Sequence, residues 1–156
     1  MSLKRFHDAQ DSRSVGYEAA LAEMRRGHKT SHWIWYIFPQ LAGLGQSATA
    51  RAYGLTDLAE ACSYLRDPLL RERYEEIIHV VDNQLAAGRS LEDLMGSTID
   101  ALKLVSSLTL FRAAAQRLAA GDAGFENLAN RCDSILQKTA RQGYPMCVRT
   151  LAEISN

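Results

Sequence analysis

The stretch Gly27–Ser47, GHKTSHWIWYIFPQLAGLGQS, decides how this chain must fold. Four of the chain's twelve Phe, Trp and Tyr residues fall within the short run from Trp33 to Phe38. An aromatic side chain buries about 150 to 250 Å², and a buried indole N–H or phenol O–H needs a hydrogen-bond partner. Polar residues flank the run on both sides. The stretch therefore predicts an apolar centre with polar groups beside it.

The residues next to this stretch follow helical spacing. Before it, apolar side chains recur at intervals of three and four from Tyr17 onward, and Gly27 is a typical helix stop. A helix beginning at Thr30 or Ser31 would run through the aromatic residues until Pro39, which excludes the residue before it from the α region. Glycines then predict a turn, after which Ser47 can start another helix.

The rest of the chain carries further helix signals and no strand signal. Candidate N-caps stand before apolar stripes at Ser2, Thr56, Asp67, Ser90 and Thr98. A last helix is predicted from Pro145 towards Ile154. No run alternates between apolar and polar residues with flanking hairpin turns. We therefore predict an all-α fold: one compact domain over residues 1–156, a bundle of about seven to nine helices without a sheet.

Composition limits the classes of partner. The 18 basic and 18 acidic side chains cancel, so no global field attracts nucleic acid or an anionic membrane. No apolar run reaches the roughly 18 residues of a membrane span, and no signal peptide is evident. The three cysteines are odd in number and lack a C-x-x-C motif, which indicates a reduced protein. We expect a soluble cytoplasmic protein that binds neither membrane nor nucleic acid, and homo-oligomerisation stays open.

Polar groups beside the aromatic run form the first candidate site. A helix starting at Thr30 or Ser31 would present free backbone N–H groups beside Lys29, an arrangement that binds phosphate or carboxylate. Trp33 or Trp35 could stack on a flat ring. The predicted ligand is a nucleotide or a phosphorylated, nucleotide-derived metabolite. Its predicted binding residues are Lys29, Ser31, His32, Trp33, Trp35, Gln40, Ser47 and Ser107.

The second candidate group lies at the start of the predicted long helix. Asp100, Lys103 and Ser107 are spaced by three and four residues and share a helix face. Ser106 and Ser107 interrupt an otherwise apolar run and need hydrogen-bond partners, such as carbonyls one turn earlier. If the two groups meet in space they line one pocket, with His32, Asp100 and Lys103 as catalytic candidates and Lys29 stabilising an anion.

Two less specific interpretations stay open for these residues. In the first, the aromatic side chains are core, Ser31 is a helix cap, His32 binds a carbonyl, and Asp100 with Lys103 is an exposed ion pair. In the second, the protein is a non-catalytic helical interaction module or dimer that works through an apolar face. No cofactor or metal-binding motif occurs, so the sequence predicts neither a cofactor nor a metal site.

Several motifs together resemble one mostly bacterial family. They include SHWIWYIFPQLAGLGQS (Ser31–Ser47), DALKLVSSLTLF (Asp100–Phe111) and shorter matches at residues 5–10 and 60–70. The combination resembles the domain-of-unknown-function family eighteen-ten, sometimes labelled calpastatin-like, over most of the chain up to about Arg112. The resemblance implies a small all-helical domain and no established reaction. Calpastatins are disordered inhibitors, whereas this chain has the apolar periodicity of a folded domain.

Overall fold

The computed structural model describes residues 3–155, and this range contains ten α-helices. Their bounds are α1 (Lys4–Gln10), α2 (Tyr17–Arg26), α3 (Ile34–Ile37), α4 (Ala48–Tyr53), α5 (Leu58–Arg66), α6 (Pro68–Ala86), α7 (Leu91–Met95), α8 (Thr98–Leu118), α9 (Gly124–Arg141) and α10 (Val148–Ile154). The described range contains no strand, only an isolated parallel bridge between Leu41 and Leu55. The all-α prediction is confirmed. The helices outnumber those predicted because α3, α4 and α7 are single turns or little more.

Backbone chemistry sets several helix ends where the sequence predicted them. Gly27 ends α2 with φ of 89°, in the left-handed region that glycine adopts without a steric cost. Asp67 caps α6, and its carboxylate accepts the N–H groups of Leu69 and Leu70, both at 3.1 Å. Phe38, which precedes a proline, leaves the α region at φ −122° and ψ 74°.

Other predicted starts are displaced by one or more residues. The cap of α5 is Asp57 rather than Thr56, because the Asp57 carboxylate reaches the N–H of Glu60 at 2.9 Å. The cap of α8 is Ser97 rather than Thr98, because the Ser97 hydroxyl accepts the N–H of Asp100 at 3.1 Å. The last helix begins at Val148, not at Pro145. The proposed cap Ser2 lies outside the described residues, and Leu3 occupies the N-cap position of α1.

Helix α8 lies at the centre of the fold. It packs against α9, α5, α7, α10 and α3, while α6 packs against α9, α2 and α5. A row of aromatic rings crosses this centre, with centroid separations of 4.5 to 6.1 Å between successive members: Trp33, Phe38, Tyr74, Phe111, Tyr64 and Phe6. Each ring pair contributes about 0.5 to 1.5 kcal/mol beyond its buried area. The aromatic run is therefore one end of the core, as its density predicted.

Candidate functional site

The backbone N–H groups predicted to bind an anionic ligand bind a carboxylate of the chain itself. Glu23 Oε1 accepts the N–H of Thr30 at 2.6 Å, the N–H of Ser31 at 2.9 Å and the indole N–H of Trp33 at 3.0 Å. Burial alone would raise the pKa of Glu23, but hydrogen bonds from Ser31, Thr30 and Trp33 lower that pKa to about 2. Glu23 is therefore a buried anion, and these donors are not free for a ligand.

The predicted helix start at Thr30 or Ser31 is wrong. Helix α3 begins only at Ile34, and the chain bends at Ser31 and His32 where the N–H groups of Thr30 and Ser31 reach the Glu23 carboxylate. The carboxylate supplies the acceptors that the N–H groups of a helix start would otherwise need. The Glu23 carboxylate therefore satisfies the N–H groups of Thr30 and Ser31, although no helix begins there.

Lys29 joins the two candidate groups of residues inside the protein. Its Nζ lies 2.7 Å from Asp100 Oδ2, donates to the Ser31 carbonyl at 2.6 Å and lies 4.9 Å from the ring centroid of Trp33. Lys29 is only 7% exposed and Trp33 is fully buried. The two groups do meet, but through a largely desolvated ion pair between segments. Lys29 and Trp33 therefore line no opening to solvent, and Asp100 already has a cationic partner.

Three further predicted residues have separate environments. Ser107 is fully buried, and its hydroxyl lies 2.9 Å from the hydroxyl of Tyr74. Ser47 caps α4 by accepting the N–H of Ala50 at 3.1 Å. His32 is exposed, and its ring makes no hydrogen bond or ion pair with residues 3–155. None of the three lines the cavity described next.

A surface cavity of about 300 Å³ is lined by two of the predicted site residues, Gln40 and Lys103. Its walls come from the loop after α3, the first turns of α8 and the start of α10. The lining residues are Gln40, Leu44, Ile99, Leu102, Lys103, Ser106, Cys147 and Arg149. Trp35 lies beside it, since the Lys103 ammonium stands 5.2 Å from the centroid of the Trp35 ring. We call this cavity the α8–α10 cavity.

The α8–α10 cavity is cationic. Lys103 and Arg149 line it, and no carboxylate of residues 3–155 does. Neither cation forms an ion pair with a described residue. The Trp35 indole Nε1 beside the cavity is buried and has no hydrogen-bond partner in the described part of the chain. A buried donor without a partner costs about 1 to 3 kcal/mol.

Cys147 and Arg149 line this cavity, and the sequence indicated neither as a site residue. The Cys147 backbone N–H donates to Thr109 Oγ1 at 3.1 Å, which fixes the start of α10 against α8. Burial would raise the pKa of the Cys147 thiol, but the hydroxyls of Ser106 and Thr150 and the backbone N–H groups of Thr150 and Arg149 lower it. No sequence signal links these residues, because α8 and α10 meet only through the fold.

The described residues offer little for other classes of site. Within residues 3–155, no group of three or more His, Cys, Asp or Glu side chains is arranged to hold a metal ion. In the same range, every helix is too short or too polar to cross a membrane.

Comparison with known proteins places the chain among uncharacterised relatives. A family model described as "Protein of unknown function (DUF1810)" matches residues 1–132. The crystal structure of the conserved hypothetical protein Rv1873 from Mycobacterium tuberculosis is similar, with 36% identity and a TM-score of 0.82 over 99% of this chain and 96% of that one. A comparison with curated proteins finds no match. Cys147 and Arg149 lie beyond the residues that the family model matches.

Proposed function

This chain belongs to the DUF1810 family of proteins of unknown function, and from the geometry of the α8–α10 cavity we propose that it binds an anionic small molecule. The ligand has a negatively charged part and a flat or apolar part. A nucleotide or a phosphorylated, nucleotide-derived metabolite has both. The family description names no reaction.

The observation that carries the proposal is the unbalanced charge of the cavity. The whole chain has equal numbers of acidic and basic side chains, yet Lys103 and Arg149 line this cavity without a carboxylate. A unit charge about 4 Å from a cation near a protein surface gains on the order of 4 kcal/mol of Coulomb energy before solvation costs. Arg149 can bind phosphate or carboxylate through two parallel hydrogen bonds, while Lys103 acts as a compact charge.

The other walls suit the uncharged part of such a ligand. Ile99, Leu102 and Leu44 supply apolar surface, and the Gln40 amide offers both a donor and an acceptor. A volume of about 300 Å³ lies at the lower end of the range for small-molecule sites. Part of a nucleotide therefore lies over the rim. Lys103 is the catalytic candidate that lines this cavity, and a catalytic role for it stays a prediction.

A thermal-shift screen tests the proposal. The panel contains nucleoside mono-, di- and triphosphates, sugar phosphates and pyrophosphate. A ligand present at a hundred times its Kd stabilises by about 2.7 kcal/mol, which corresponds to a rise in Tm of roughly 5 to 10 °C for a domain of this size.

The matched variants are Lys103→Met with Arg149→Gln, which remove the cavity charges, and Arg13→Gln, which removes an exposed charge elsewhere. We expect the shift to disappear in the first pair and to persist in the control. A panel without any hit, or a hit that both sets of variants retain, would refute the proposal.

A second candidate function, self-association, is favoured by the apolar rim. Ile99 is 65% exposed, Leu102 52% and Val148 74%, and the first two line the cavity while Val148 adjoins it in sequence. Exposed apolar side chains grouped in this way are typical of an interaction surface. The occupant under this interpretation is a second copy of the chain. Light scattering should then show a dimer that Leu102→Asp dissociates, whereas a monomer at every concentration would exclude this candidate.

A further inference from the structure

We propose that Cys147 is a covalent modification site: its sulfur exchanges with an anionic, low-molecular-weight disulfide held in the α8–α10 cavity by Lys103 and Arg149. The product is a mixed disulfide between Cys147 and one half of the small molecule. The inference rests on the proposed function, because the same two cations bind the carboxylates of the disulfide. It adds a chemical step and a second ligand class to that site.

The three cysteines of the chain differ in exposure to solvent. Cys62 is 2% exposed and Cys132 is fully buried, and burial raises the pKa of both thiols, that of Cys132 to about 12. Cys147 is partly exposed and lines the same cavity as Lys103 and Arg149. The thiolate is the form that attacks a disulfide, so accessibility and thiolate stabilisation must coincide. They coincide at Cys147 and at neither of the other two.

An unpartnered hydroxyl next to the sulfur points to the same chemistry. Thr150 is fully buried, and its Oγ1 has no hydrogen-bond partner among the described residues. Thr150 lies in the first turn of α10, three residues after the N-cap Cys147, and its hydroxyl lowers the pKa of the Cys147 thiol. A thiolate at Cys147 would accept the hydrogen bond that Thr150 lacks. Buried hydroxyls are otherwise almost always paired, which makes the exception informative.

The exchange needs no group that the cavity lacks. The Cys147 thiolate attacks one sulfur of the disulfide, the S–S bond of the small molecule breaks, and a new S–S bond forms. Cys147 is oxidised, the released half is reduced, and the electron pair leaves on its sulfur as a thiolate that takes a proton from water.

Competing disulfides provide the test. The intact protein is incubated with glutathione disulfide, which is anionic, or with bis(2-hydroxyethyl) disulfide, which is uncharged. Mass spectrometry measures the rate of adduct formation, and peptide mapping identifies the modified cysteine. We expect modification at Cys147 alone, faster with the anionic reagent by roughly tenfold, since two cations attract it. In the double variant Lys103→Met with Arg149→Gln, the faster reaction with the anionic disulfide should disappear, while the uncharged disulfide should still react.

Two control variants separate the possible outcomes. Cys147→Ser should take up no adduct, and its unchanged thermal shifts with phosphorylated compounds would show that anion binding persists without the sulfur. Thr150→Val should slow the reaction with both reagents while retaining their ratio. Anion binding with an inert Cys147 would overturn this inference and leave the proposed function standing. Equal rates with both disulfides, or faster modification of Cys62 or Cys132, would also overturn it.

Discussion

The buried carboxylate of Glu23 gives a prediction whose size follows from the structure. Glu23 is 3% exposed, and one of its oxygens accepts the backbone N–H groups of Thr30 and Ser31 and the indole N–H of Trp33. The hydrogen bonds lower its pKa from an ordinary value of 4.5 to about 2. Each pKa unit corresponds to about 1.4 kcal/mol, so ionised Glu23 stabilises the fold by roughly 3 kcal/mol at neutral pH.

The perturbation is Glu23→Gln, which keeps the shape and an acceptor oxygen but removes the charge. The pKa is depressed in the folded state, so the stabilisation is fully present above the unfolded pKa and is lost as pH falls through the folded pKa. The difference in unfolding free energy between wild type and variant, called the gap below, should be roughly 3 kcal/mol at pH 7 and about half of that at pH 3. Below pH 2 it should approach zero.

Urea denaturation at several pH values measures this gap. The control is Glu18→Gln, on the exposed side of the same helix, where we expect a loss of about 0.5 kcal/mol or less at pH 7. A Glu23→Gln loss below about 0.5 kcal/mol at pH 7, within the range of ordinary surface substitutions, would refute the reasoning. A gap that does not change with pH would also refute it, since the effect would then not come from the charge.

Three further predictions concern stability and use chemical denaturation. Lys29→Met should lower the free energy of unfolding by about 3 kcal/mol, because it leaves Asp100 without its partner. Lys103→Met should lower it by less than about 0.5 kcal/mol. Equal losses would contradict the assignment of Lys29 to the core and Lys103 to the cavity. Gly96→Ala and Gly88→Ala both place alanine at positive φ, but only at Gly96 would the new Cβ lie 2.8 Å from the Lys29 carbonyl. Both variants should lose about 1 kcal/mol of unfolding free energy from the positive φ, and Gly96→Ala should lose roughly 2 kcal/mol more from the close contact. Similar losses in the two variants would show that the contact with the Lys29 carbonyl has no effect. Tyr74→Phe and Ser107→Ala should each cost about 1 to 2 kcal/mol and be non-additive by about 1 kcal/mol when combined, and strict additivity would argue against their hydrogen bond.

The sequence predicted the fold best where one residue controls the backbone. Gly27 ends a helix because its φ is positive, and Asp67 starts one because its side chain reaches the following N–H groups. The burial of Trp33 and Phe38 follows from their size. The predicted cap at Thr98 failed by one residue, because a neighbouring oxygen competes for the same N–H groups.

The candidate site was harder to predict, because the same types of residue can either pair with each other inside the core or bind a ligand. The donors at Thr30 and Ser31 do bind an anion, but it is Glu23, which in sequence is one of several charged residues along α2. Spacing alone does not reveal which carboxylate turns inward. Cys147 reaches the cavity only because α10 returns to pack on α8, a contact between distant parts of the chain.

The indole resonances of the two tryptophans test the central claim, that an anionic ligand enters the α8–α10 cavity. Trp33 Nε1 donates to Glu23 in the core, whereas Trp35 lies beside the cavity near Lys103, and its Nε1 has no hydrogen-bond partner among residues 3–155. Two-dimensional NMR during titration with pyrophosphate and nucleotides should therefore show the Trp35 indole signal moving to saturation while the Trp33 signal stays fixed. A Trp35 signal that no compound in the panel moves would contradict the claim.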